Sequence, residues 1–111
     1  MQKYTLVILS NPIADHEPQY NDWYDGQHLP DVLKVPGFVS ARRMRRLDGD
    51  GQWRYLALYE LETDDPDAAM AELRRRAGGP SMPMSEALDR GSLFSGLFQH
   101  IIEMAPSNTP A

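Results

Sequence analysis

The order of the strand-like and helix-like segments constrains this chain more than any other feature. Lys3 to Ser10 is rich in β-branched and aromatic side chains and stops at Asn11-Pro12, as a buried strand does. Asp15 to Pro18 reads as a helix start, with acids in the first turn and a proline where a missing N–H does no harm. Tyr20, Trp23, Tyr24, Gln27 and His28 then fall at helical spacing. Leu29 precedes Pro30, whose ring disfavours helical geometry in the residue before it, so the spacing predicts a kink at Leu29 and a restart at Pro30. Val35-Pro36-Gly37 is a stop and turn.

Phe38 to Leu47 reads as a second strand and Trp53 to Leu61 as a third, joined by a tight hairpin at Asp48-Gly49-Asp50-Gly51. Thr63-Asp64-Asp65-Pro66 supplies an N-cap and an acidic first turn for a helix that ends in Arg74 to Arg76 before Gly78-Gly79. A short extra helix is expected within Ser81 to Arg90, and a last strand over Leu93 to Ile102. The order is therefore β-α-β-β-α-β. It predicts an α+β, ferredoxin-like fold, a four-stranded antiparallel sheet with two helices on one face. At 111 residues the chain holds one such domain, placed at 1–105, with a flexible tail at 106–111. Strand three sets Tyr55, Ala57 and Tyr59 against Leu56 and Leu58, so both faces of the sheet are mostly apolar. Helices cover only one of them. A second copy of the chain is the economical cover for the other, which predicts a homodimer with sheets face to face.

Several function classes are excluded by composition. With no cysteine there is no disulfide scaffold, thiolate zinc site, iron–sulfur cluster or cysteine nucleophile. Sixteen acids against eleven bases give a net charge of −5, which argues against nucleic acid as a partner. The apolar stretch through Leu6 to Leu9 is far short of the ~20 residues of a membrane span. No small-residue cleavage site follows Met1, so a cytoplasmic location without membrane contact is expected. Neither HExxH nor a three-ligand histidine cluster occurs, so no metal site is expected. The same holds for a GxSxG elbow and a glycine-rich phosphate loop.

Chemistry concentrates in Tyr20 to Phe38. On a regular helix Tyr20, Trp23, Tyr24 and Gln27 share one face, with His28 at its edge. That face presents phenols, an indole, an amide and an imidazole where most helices present leucine, which suits a cavity for a flat, partly polar organic molecule. The alternative is a core of aromatics with their polar tips satisfied. His28 sits at the expected kink, and its ordinary pKa near 6.5 makes it the natural general base. Asp25 and Asp31, three residues to either side, are placed to orient its ring. A capping histidine is the competing reading. In Arg42-Arg43-Met44-Arg45-Arg46 alternate residues face opposite ways. The run protects an edge strand, or sends Arg42 or Arg43 into the pocket to meet a carboxylate or enolate. Tyr55 joins Tyr20, Trp23 and Tyr24 as a residue placed to hold an aromatic ring.

The segment Tyr20 to Phe38, with His28-Leu29-Pro30 and Val35-Pro36-Gly37-Phe38, resembles the EthD-like family of dimeric α+β barrel proteins. The order of elements extends the resemblance over Lys3 to Ile102. It implies a homodimer whose two sheets form a barrel, a pocket between helices and sheet in each subunit, and no obligatory cofactor. The wider superfamily includes polyketide cyclases, cofactor-free monooxygenases, isomerases, dehydratases and haem-degrading enzymes, and His28 matches the motif histidine. Two non-catalytic expectations stand beside an enzyme of this kind. One is a carrier or accessory protein of a degradation pathway. The other is a haem-binding protein with His28 or His100 as axial ligand.

Overall fold

A computed structural model describes residues 1–49 and 51–107. Four antiparallel strands, β1 (Gln2–Ser10), β2 (Phe38–Arg45), β3 (Tyr55–Thr63) and β4 (Phe94–Gln99), lie in the order β2-β3-β1-β4. The long apolar strands are central. Leu6 pairs with Tyr59 on one side and Leu97 on the other, which puts Tyr4, Leu6, Ile8 and Ser10 on the same face as Tyr55, Ala57, Tyr59 and Leu61. Helical segments cover this face, one from Glu17 to Val32 and one, α3, over Pro66–Arg76. Leu6 and Leu61 are left 1% and 0% exposed. Each such burial contributes on the order of 1.5–3 kcal/mol. This is the ferredoxin-like α+β arrangement.

The other sheet face carries no helix. Val7 and Leu9 of β1, Leu56 and Leu58 of β3, Met44 of β2, and Phe94 and Phe98 of β4 form its apolar middle. Phe98 is 54% exposed, a large cost for a phenyl ring left in water. Gly96 lies between the two phenylalanines, and an added Cβ would meet their rings at 3.0–3.2 Å. The glycine lets both rings lie down over the strand and broadens the apolar surface.

Three expectations are corrected. Leu29 does not leave helical geometry: it holds φ −58° and ψ −48°. The first helical segment instead runs through α1 (Glu17–Trp23), a π-helical turn over Tyr24–His28, and α2 (Leu29–Val32). The wide turn absorbs the missing N–H of Pro30 without a break. Second, the β2–β3 connection is longer than a tight hairpin. Arg45 pairs with Tyr55 and the Arg46 N–H reaches the Arg54 carbonyl, so Leu47 and Trp53 belong to the loop. Asp50 of the predicted turn lies outside the described residues, as do 108–111 of the predicted tail. Third, Ser81 to Arg90 forms no α-helix. Pro80 precedes it and Pro83 interrupts it, and it runs as a strap held by burial of Met82 and Leu88, by the Ile13 N–H to the Ala87 carbonyl and by the Asp89 N–H to the Asn11 carbonyl.

α3 starts where its cap signal lies, with the Asp65 carboxylate accepting the Ala68 N–H at 3.0 Å. The turn into β2 depends on Gly37, which has φ +98° and whose carbonyl accepts the Glu62 N–H. An added Cβ would find ordinary contacts at 3.5 Å from Thr63, so strain rather than crowding opposes a side chain. Gly37→Ala should therefore lower unfolding free energy by about 1–3 kcal/mol in urea titrations. An unchanged midpoint would show that the turn adapts.

Candidate functional site

The π-helical turn decides which side chains reach the interior. Tyr20 and Tyr24, one regular turn apart, pack edge to face against the sheet with ring centroids 5.2 Å apart. The Leu29 N–H then bonds the Tyr24 carbonyl, five residues back, instead of the Asp25 carbonyl. This extra residue swings Gln27 outward, where its amide donates to Asp31 at 2.6 Å, and brings His28 under Tyr24. On a regular helix the two would have shared the face the other way about.

His28 lines a cavity of about 210 Å³ between the helices and the sheet. Trp23, Tyr24, His28 and Tyr59 form its aromatic wall. Leu6 and Ile8 of β1, Met70 and Leu73 of α3, and Met82 and Met84 of the strap supply much of the rest. The imidazole stacks on Trp23 at 4.6 Å and stands perpendicular to Tyr24 and Tyr59, at 5.3 and 6.4 Å between centroids. Its Nδ1 is buried without a hydrogen-bond partner, as is the Tyr59 hydroxyl. Burial lowers the His28 pKa to about 4, against a smaller opposing pull from the Asp31 carboxylate. The ring is neutral at pH 7. Burial likewise pushes the Tyr59 phenol far above its ordinary range, with Tyr24 adding to the effect, so its proton stays on.

The other predicted residues lie elsewhere. Tyr20 is fully buried behind the cavity, its hydroxyl 2.6 Å from Ser10 Oγ, and burial raises its pKa to about 12. Arg42 is on the open sheet face, where strand alternation puts it. Arg43 points to the helix side but stops behind Tyr24, its guanidinium 4.5 Å from that ring's centroid. There it donates to Asp25 at 2.7 Å and to Asn21 at 2.8 Å, and lies 5.2 Å over the Tyr55 ring. Tyr55 donates to Glu17 and accepts from Asn21. Asp25 and Asp31 thus orient no imidazole: one holds Arg43, and the other accepts from Gln27 and faces Lys34. His100 is bonded to Thr5 beside Glu60, away from the cavity. Among the described residues no group of three or more His, Asp or Glu could hold a metal ion, and no helix is long and apolar enough to cross a membrane.

Sequence reasoning missed Tyr59, Met70, Met82 and Met84. Tyr59 was visible as the strand-three partner of Tyr55. The strap methionines gave no sign of a cavity, because bonds to residues remote in sequence set the path of the strap.

Solved structures supply a fold. MhuD, the haem-degrader of Mycobacterium tuberculosis with two haems bound in its active site, superposes with a TM-score of 0.64 at 16% identity, over 92% of this chain and 99% of that one. SnoaB, a cofactor-independent oxygenase from Streptomyces nogalater, gives 0.56 at 17% identity over 96% and 99%. The fold is theirs. No family model matches the sequence. Core atranone cluster protein 1 of Stachybotrys chlorohalonatus is 41% identical over 59 residues, 51% of this chain and 25% of that protein. The chain therefore spans about a quarter of the length of this relative.

A neutral buried imidazole has a measurable signature. Its folded pKa of about 4 lies below the ordinary value, so between those limits the unfolded chain binds more protons and stability rises with pH. Stability from this group is complete above about pH 6.5 and is lost as pH falls through 4. The loss should be about 3 kcal/mol in urea titrations. His28→Asn should flatten the profile by that amount relative to wild type, whereas parallel profiles would place the ring in water.

Proposed function

We propose that the chain is an EthD-like, cofactor-independent enzyme that acts on a small aromatic or carbonyl-containing molecule in the Trp23–His28–Tyr59 cavity. His28 serves as its proton acceptor. One observation supports this reading most: His28 and Tyr59 line one apolar cavity, and each has a buried polar atom, Nδ1 and the hydroxyl, without a hydrogen-bond partner. Buried polar groups normally have partners, so two residues of one cavity wall that lack them are candidates for completion by a ligand once a small side-chain shift exposes them.

The chemistry follows from the two protonation states. A C–H beside a carbonyl gives its proton to His28, and the bonding pair moves through carbon to the carbonyl oxygen. Tyr59, still protonated, serves in this reading as the donor to that oxygen. The imidazolium and enolate formed together attract strongly where water is absent, which offsets the weak basicity of a ring with pKa about 4. Isomerisation, cyclisation, dehydration and, with dioxygen as co-substrate, oxygenation all begin with this step.

A ligand smaller than haem is favoured by the cavity volume, which lies below the ~300 Å³ at which pockets for drug-sized ligands begin and suits one or two fused rings. His100, the alternative axial ligand, is outside it. A homodimer through the open sheet face belongs to the same proposal, supported by the exposed stripe around Phe94 and Phe98. Equilibrium sedimentation at micromolar concentration should give a dimer; a stable monomer would remove this part.

The decisive experiment screens phenols, aromatic ketones, lactones and haemin by thermal shift, then assays the compounds that bind. His28→Asn should keep binding and lower turnover about 10²- to 10⁴-fold. The acid limb of kcat/KM should lie near pH 4 in place of 6.5, since it reports the free enzyme. An unchanged rate per folded molecule would favour the carrier reading.

A further inference from the structure

The face that α3 turns to the cavity is Met70, Leu73, Arg74 and Ala77, the i, i+3, i+4, i+7 spacing of an apolar stripe. One of its four members is an arginine. A basic residue in the last turn of a helix ordinarily answers the helix dipole, but Arg75 and Arg76 already serve that end. Both are engaged: Arg75 makes two bonds to Glu72 at 2.6 and 2.8 Å, and Arg76 donates to Glu72 at 2.7 Å and to the Lys34 carbonyl. Among the described residues no carboxylate pairs with Arg74. It is the one residue lining the cavity that is charged at pH 7, since His28 is neutral there. Ser95 of β4 lines the same cavity with a hydroxyl.

We propose that Arg74 selects the ligand, and that the ligand is a flat one- or two-ring molecule bearing a carboxylate. This rests on the cavity reading above. The surrounding rings and methionines take the apolar body, and the guanidinium at the exposed end takes the two carboxylate oxygens by a forked pair of bonds. The net charge of −5 repels anions from the surface at large, so recognition of an acid needs such a fixed cation. A ligand held this way has its carboxylate at the solvent side and its ring against Trp23 and His28.

The test uses 2-naphthoate and its neutral counterpart 2-acetonaphthone, which share a ring system and differ in the charged oxygen. Calorimetric titration at pH 7.5 should show the acid binding more tightly than the ketone. Arg74→Ala should weaken the acid about 10- to 100-fold, the range of charge-assisted bonds, and leave the ketone unchanged. Arg74→Lys should recover part of the loss, and Arg75→Ala, which removes the same charge from the same helix outside the cavity, should change neither compound. Equal affinity of wild type and Arg74→Ala for the acid, with the ketone still binding, overturns the role of Arg74 and leaves the cavity intact. Failure of both compounds to bind wild type overturns the cavity reading and this proposal with it.

Discussion

The bond from the Leu29 N–H to the Tyr24 carbonyl sets the interior of this protein. A regular helix would have closed that turn one residue earlier, leaving Gln27 against the sheet and His28 at the edge. Pro30 cannot donate to the turn before it, and the chain takes the loss in a single wide turn while the backbone angles of Trp23, Tyr24, His28 and Leu29 stay helical. One extra residue per turn is enough to exchange an amide for an imidazole at the cavity wall. The aromatic stack of Trp23 on His28 then holds the ring in place, without any hydrogen bond.

Tyr24 divides two environments that behave in opposite ways. Behind it the Arg43 cation is matched by Asp25 and Asn21 through its terminal nitrogens and covered by three phenol rings, with only Nε lacking a hydrogen-bond partner. In front of it the cavity offers few polar atoms. The nearby cation favours ionised phenols, yet burial is the larger influence on Tyr20, Tyr24 and Tyr59, and all three rise. The result is a cavity in which Tyr24 and Tyr59 keep their protons and His28 is neutral at pH 7, the states that the proposed proton transfer uses.

Strand alternation was fully legible in the sequence. Tyr55, Ala57 and Tyr59 against Leu56 and Leu58 gave the two faces, and the asymmetry between Arg42 and Arg43 followed from the same period. Asp65 marked the start of α3 within a residue or two. The site was legible only as a neighbourhood. Trp23, Tyr24 and His28 meet in the cavity, but Tyr20, Tyr55 and Gln27 were drawn into it by an assumed regular helix and a face too broadly drawn. A π-helical turn leaves no residue pattern of its own, because it arises from a hydrogen-bond shift rather than a preference. The strap was misread for a related reason. Met84, Ala87 and Leu88 are apolar at the i, i+3, i+4 spacing of a helix, while Pro80 and Pro83 and the bonds to Asn11 and Ile13, remote in sequence, decide its path.

The two sheet faces are coupled through the same backbone. Leu6, Ile8 and Tyr59 face the cavity, and their sequence neighbours Val7, Leu9 and Leu58 face the open side. Whatever packs on Val7, Leu9 and Leu58 also fixes the strands that carry the cavity floor, because a pleated strand cannot move one face alone. The apolar stripe of Phe94, Gly96 and Phe98 lies on β4, the edge strand whose Ser95 lines the cavity. Covering that edge therefore restrains a wall of the site as well as removing two phenyl rings from water. A second sheet is suited to this because it meets a twisted face over its whole length, whereas a single helix would cover only a strip. The shape of the cavity and the exposure of the open face are in this sense one packing problem, posed on both sides of β1 and β3.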